Sequence, residues 1–400
     1  MKRVRAIYPV PLTGTLRPPR TPGGTPFLVS SAYDRQSLAT QRSESEMDRS
    51  IRATTLHIES NASCQLRCPT CPTTSKGYPP AVGSGYLRLE DLRRLLEKNP
   101  RINEIYLENR GELFLNRELL SILEYVYRQG VELYCTSGVN LNTVGEGVLE
   151  GLVKYQMRGL LCSIDGATPE VYARYRRRGD LNNVLDHIRT INAYKEQYSS
   201  EYPRLTWQFV VFGHNEHEIP ASRSLARGLN MDFVTKMSWD SDYSPIRDPE
   251  FVMRETGWPA VTREEYERIT DKNYSRGVCT ALWYSPRVNW DGRILGCCWN
   301  SWGDFGGNAF TDGYDQSCNN AIISRSRRML LGEAEPIDES PCASCSLYLD
   351  MRKTGNYLLL DEVYDRKPLW YRGARWVYKD LGLKKRWHRI RRGMSGNRLI

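Results

Sequence analysis

The chain has 400 residues, 40% of them hydrophobic, and a formal net charge of +9. That length can bury a large core and more than one domain. It holds no apolar run of 18 or more residues, and Met1-Lys2-Arg3-Val4-Arg5 leads into Pro/Gly/Thr-rich sequence rather than a signal-peptide core. A membrane-spanning or secreted protein is thereby disfavoured, and the expectation is a soluble, cytoplasmic one. The charge is uneven: from Asp365 to Ile400 there are 12 Lys/Arg against two acids, which leaves 44 basic and 45 acidic residues elsewhere. This tail interleaves aromatics with cations, a composition that suits an anionic partner or surface, but without a base-reading motif it reads first as a solvated, partly helical extension.

Residues 1–50 are rich in Pro, Gly, Ser and Thr with little periodicity and read as a flexible N-terminal arm. From residue 54 strand and helix patterns alternate. Strands are expected at 54–59, 104–107, 132–136, 160–164, 205–211 and 233–236, each rich in β-branched or aromatic residues. Helices are expected at 87–97, 117–128, 148–157, 182–194 and 219–229, where apolar residues recur at three and four positions. Such a β-then-α series specifies an α/β fold with a parallel sheet, either an open doubly wound sheet or a curved partial barrel. The expected boundaries are a barrel over 51–245, a small β-hairpin/helix domain over 246–350, and a basic extension over 351–400.

Eleven cysteines in a long chain without a secretion signal point to metal rather than disulfides. Cys64, Cys68 and Cys71 form a C-x3-C-x2-C run directly behind the first strand, and Cys279, Cys297, Cys342 and Cys345 stand downstream. Three thiolates leave one iron of a four-iron cluster open to a small molecule, whereas four close a cluster completely. Competing readings are half a zinc site completed by His57 or a distant cysteine, and a zinc ribbon from the second set. Val288 to Cys298 reads as a hairpin turning at Asp291-Gly292, with Cys297 toward the second site and Cys298 on the other face. Cys135, Cys162 and Cys318 read as small buried hydrophobes.

The run Asn61-Ala62-Ser63-Cys64-Gln65-Leu66-Arg67-Cys68-Pro69-Thr70-Cys71-Pro72 resembles the cluster loop of the radical S-adenosylmethionine (SAM) enzymes, and the likeness extends over roughly residues 54–345. Gly111-Glu112 is similar to the segment that holds the methionine amino group. Ser163, Asp165 and Arg176 resemble the residues that meet the ribose and carboxylate, and Asn215 the turn after the fifth strand. The downstream cysteines resemble the shorter, twitch form of the SPASM auxiliary-cluster domain. The resemblance implies a partial (β/α)6 TIM-like barrel, a [4Fe-4S] cluster on Cys64, Cys68 and Cys71 with an open site for SAM, and one auxiliary [4Fe-4S] cluster on Cys279, Cys297, Cys342 and Cys345. Two departures stand out: Thr70 replaces an aromatic residue before the third cysteine, and Thr136-Ser137-Gly138 replaces Thr-Asn-Gly after the third strand.

The activity so implied is reductive cleavage of SAM to a 5′-deoxyadenosyl radical that abstracts hydrogen from substrate carbon, with an external donor such as flavodoxin or ferredoxin supplying the electron. A closed auxiliary cluster suits electron acceptance, hence oxidation of a sugar, aminocyclitol or related metabolite. Alternatives are crosslinking or epimerisation of a ribosomal peptide, and, from another class, a metal-stabilised protein that binds nucleic acid or a membrane surface. Glu108, Asn109, Arg110, Trp239 and Asp240, at strand ends, are candidate substrate-facing groups.

Overall fold

The computed structural model describes residues 50, 52–75, 81–108, 110–271 and 273–363. The N-terminal arm, Asn109 and the basic tail beyond residue 363 therefore lie outside the described residues. Strand β1 spans Thr55–Glu59, followed by α1 Leu89–Lys98, β2 Glu104–Glu108, α2 Leu119–Arg128, β3 Glu132–Val139, α3 Glu146–Lys154 and β4 Gly159–Ser163. Then come α4 Pro169–Tyr175, α5 Leu181–Gln197, β5 Arg204–Val211, α6 Ile219–Gly228 and β6 Asp232–Met237. Downstream lie α7 Pro249–Thr256, α8 Arg263–Thr270, β7 Arg287–Val288, β8 Ile294–Gly296, α9 Ala321–Leu330 and α10 Ser346–Thr354.

The described strands form one sheet in the order β6-β5-β4-β3-β2-β1-β7-β8, with β6 and β8 at its edges. It is open, and the partial-barrel expectation holds. All six leading strands pair in parallel, as β-helix-β connections require. The helices cover one face: Leu56, Ile58, Ile105, Leu107, Leu133 and Cys135 are buried with Leu92, Leu95, Ile122 and Val126 in a single apolar cluster. Their strand neighbours take the opposite face because side chains alternate. There His57, Tyr106 and Tyr134 stack at 4.4 and 5.0 Å between ring centroids, and above them Glu59 pairs in register with Glu108.

The hairpin forms as anticipated, but it does more than carry a cysteine. Val288 pairs with Ile58, so β7 continues the barrel sheet beyond β1, and β8 folds back antiparallel to it. Gly292 sits at φ +90, as a tight Asp-Gly turn needs, and a side chain there would meet Asn308 Oδ1 at 2.2 Å. This pairing joins the hairpin that leads into Cys297 to the barrel sheet.

Candidate functional site

The cluster loop leaves the carboxyl end of β1, where Cys64, Cys68 and Cys71 share a small apolar cluster with Leu66, Tyr175 and Phe212. The loop is tied to the turn after β2. Gly111 donates its N–H to Asn61 O at 3.1 Å and Glu112 to Ser63 O at 2.7 Å, while Asn61 Nδ2 donates to Glu112 O at 2.9 Å. The approach is so close that a Cβ on Gly111 would stand 2.1 Å from Ser63 O, so only glycine fits.

Glu112 is buried, and its two carboxylate oxygens accept from Asn140 N at 2.8 Å and Phe114 N at 3.4 Å. These donors are neutral, and burial pushes the carboxyl up to about 7. A buried carboxylate hydrogen-bonded only by amides, with the Arg176 charge acting on it from nearby, is a ready partner for an ammonium group. Asp165, fully buried, is held by Arg176 Nε at 2.7 Å and Val210 N at 2.7 Å. Arg176 Nη1 also lies 3.8 Å from Cys68 Sγ, which links the β4 end to the cluster loop. Ser163 Oγ accepts from Gln208 Nε2 at 3.3 Å. Asn215 is occupied otherwise: it accepts from Phe212 N and donates to the carbonyls of Asp165 and Val210 at 3.1 and 2.9 Å. Its amide closes the turn after β5.

The two departures from the resemblance acquire structural reasons. Thr70 Oγ1 lies 2.8 Å from Tyr175 Oη and accepts from Trp239 Nε1 at 3.0 Å, so aromatics from α4 and the β6 end gather where the aromatic is missing from the loop. Strand β3 shifts register between Cys135 and Val139, with Gly138 at φ +95 and Ser163 Oγ only 2.3 Å from where a Cβ would stand. The shift delivers Asn140, whose Nδ2 is 3.8 Å from Cys64 Sγ, beyond the position of the expected asparagine. Sequence reasoning overlooked it; the available signal was the Asn140-Leu141-Asn142 pattern following the strand.

Downstream, Cys279, Cys297, Cys342 and Cys345 line one cavity together with Leu282, Trp299, Phe305, Leu330 and Tyr348. Cys298 is exposed, on the side of Arg287 and Lys236, whose charges it feels. Burial pushes the Cys64 thiol up to about 12 and Cys297 up to about 11. Four thiols around an apolar hollow are a donor set that a metal centre would deprotonate and bind. Among the described residues no three His, Cys, Asp or Glu side chains gather tightly enough for a single metal ion. Cys135, Cys162 and Cys318 are buried apart from these groups, the first two in β3 and β4.

Of the candidate substrate-facing residues, Glu108 is buried and paired with His57 Nδ1 at 2.8 Å and Arg287 at 3.4 Å. Arg110 reaches the hairpin. Trp239 is exposed, and Asp240 accepts from the amides of Asp242 and Tyr243.

No family model and no curated protein matches the sequence. Among solved structures the fold is shared with SuiB of Streptococcus suis. The free protein aligns with a TM-score of 0.54 at 13% identity, over 85% of this chain and 83% of that one. SuiB bound to S-adenosylmethionine aligns with a TM-score of 0.53 at 13% identity, over 80% and 78%. SuiB bound to the precursor peptide SuiA gives 0.52 at 12% identity, over 82% and 78%. At these identities the likeness establishes the fold.

Proposed function

We propose that this chain is a radical SAM enzyme carrying a second, auxiliary [4Fe-4S] cluster. The observation that carries the reading is the joining of the three-cysteine loop to the buried, amide-capped Glu112. Cys64, Cys68 and Cys71 would hold the first cluster; Glu112 would receive the SAM ammonium; Arg176, Asp165 and Ser163 line the neighbouring strand end; Gly111 keeps the turn close. Cys279, Cys297, Cys342 and Cys345 would hold the second cluster. When bound, these groups supply one-electron cleavage of SAM and hydrogen abstraction from an unactivated carbon. The chain's own part is to bind, orient and shield: Tyr175, Phe212 and Leu66 exclude water around the first cysteines.

The reaction we favour is oxidation of a sugar, aminocyclitol or related metabolite. Four thiols at the second site leave no iron position open to substrate, so its role is to take an electron. A second reading, ribosomal-peptide maturation, gains support from the fold shared with SuiB, which was crystallised with a precursor peptide. Incubation with SAM under anaerobic reducing conditions should yield 5′-deoxyadenosine, and Cys64→Ala should abolish it. No cleavage by a chain loaded with iron would leave a metal-stabilised binding protein. Once a substrate is found, an unchanged oxidation level at the attacked carbon would favour epimerisation, the redox-neutral form of the peptide reading.

A further inference from the structure

Arg110, expected from its strand-end position to face substrate, is committed instead between the two cysteine sets. Its carbonyl accepts from Thr73 Oγ1 at 2.9 Å, two residues beyond Cys71. Its amide donates to Glu59 Oε2 at 2.9 Å. Its Nη2 donates to Cys298 O at 2.8 Å and Asn300 O at 2.5 Å, the backbone that leaves Cys297. Arg287 stands beside it, 3.6 Å from Glu59 Oε1 and 3.4 Å from Glu108 Oε2, and interacts electrostatically with Cys297 and Cys298. Two guanidinium groups therefore press against the barrel side of the hairpin end that presents Cys297. Two buried carboxylates on β1 and β2 offset their burial cost. Arg110 Nε is itself buried without a hydrogen-bond partner, 3.9 Å from Glu59 Oε1, so the guanidinium spends its hydrogen bonds on the hairpin backbone through Nη2. A guanidinium held against the backbone that directly follows a ligand cysteine, with Arg287 interacting with that cysteine itself, favours the more negative, reduced state of whatever cluster the cysteine helps to hold.

We propose that Arg110 is a positioning residue for the second cysteine site, which fixes the hairpin end to the first cysteine loop and raises the reduction potential of the cluster held there. This rests on the two-cluster reading above and deepens its oxidative form. A substrate radical centred on an alcohol carbon becomes a carbonyl: the hydroxyl O–H bond breaks, its proton leaves to solvent, the carbon–oxygen double bond forms, and one electron passes to the second cluster, which is reduced by one unit. A higher potential at that cluster makes the electron transfer favourable.

The test is an anaerobic redox titration, followed by electron paramagnetic resonance, of the full-length reconstituted protein and its R110K and R110Q variants. The signal that SAM perturbs reports the first cluster and the unperturbed one the second. R110Q should lower the midpoint of the second signal while iron content stays at the wild-type value. R110K, which keeps the charge, should stay near wild type. An R110Q midpoint equal to wild type overturns the proposal. So does an equal fall in both variants accompanied by iron loss, which would make Arg110 a purely structural tie. If the wild-type protein shows no second cluster signal at all, the two-cluster reading itself fails.

Discussion

Burial in the turn after β2 pushes the Glu112 carboxyl from 4.5 up to about 7. The unfolded chain releases this proton near pH 4.5, whereas the folded, metal-free chain keeps it until about 7. Stability from this group is therefore full below the unfolded value and is lost as pH rises through the folded one, by about 3 kcal/mol at most. Glu112→Gln should flatten that decline, read as the difference in denaturant midpoint between about pH 5 and about pH 8; an unaltered difference would contradict the account. The same substitution should weaken SAM binding by at least ~10-fold, since it removes one charge-assisted contact, while leaving the iron content intact. At Asp165 the argument is different. Its carboxylate is fully buried and faces Arg176 at 2.7 Å, so Asp165→Asn leaves an uncompensated guanidinium and should cost about 3–5 kcal/mol in urea unfolding. Residue roles were legible where a type is irreplaceable, as with the cysteines and Gly111. They were not legible where contacts decide: Asn215 spends its amide on the backbone, and Arg110 turns toward a segment 190 positions away in the chain.

At the level of elements, alternation and three-four periodicity located the six leading strands and five long helices, with ends displaced by a few residues. Their patterns are local, because each strand buries one face against its own crossover helices. The β3 end was hidden because its register shift is fixed by contact with β4, at Gly138 and Ser163. The pairing of β7 with β1 was hidden for the same reason, being a short non-local bridge with no sequence period. The tie between the first two strand-end loops is the element contact on which the first cysteine site depends. Gly111→Ala would drive a Cβ to within 2.1 Å of Ser63 O and displace the cluster loop. It should lower iron retention at that site and SAM binding together, with the secondary structure by circular dichroism unchanged. Retention of both would show that the loop tolerates movement.

Across the described residues, the sheet order connects both cysteine groups to a single framework. The first leaves β1, and the hairpin that pairs with β1 leads into Cys297 of the second. That arrangement joins both cysteine groups to one sheet. It was only half visible beforehand, because cysteine spacings can be read along the chain but the strand that unites the two groups cannot. No helix among the described residues is long and apolar enough to cross a membrane. The central claim, two four-iron centres with separable ligand sets, is tested most directly by iron and sulfide per chain after anaerobic reconstitution. The account predicts about eight of each in the wild-type protein, and about four in both the Cys64/Cys68/Cys71→Ala and the Cys279/Cys297/Cys342/Cys345→Ala proteins. Little iron with tightly bound zinc in the wild type would contradict it.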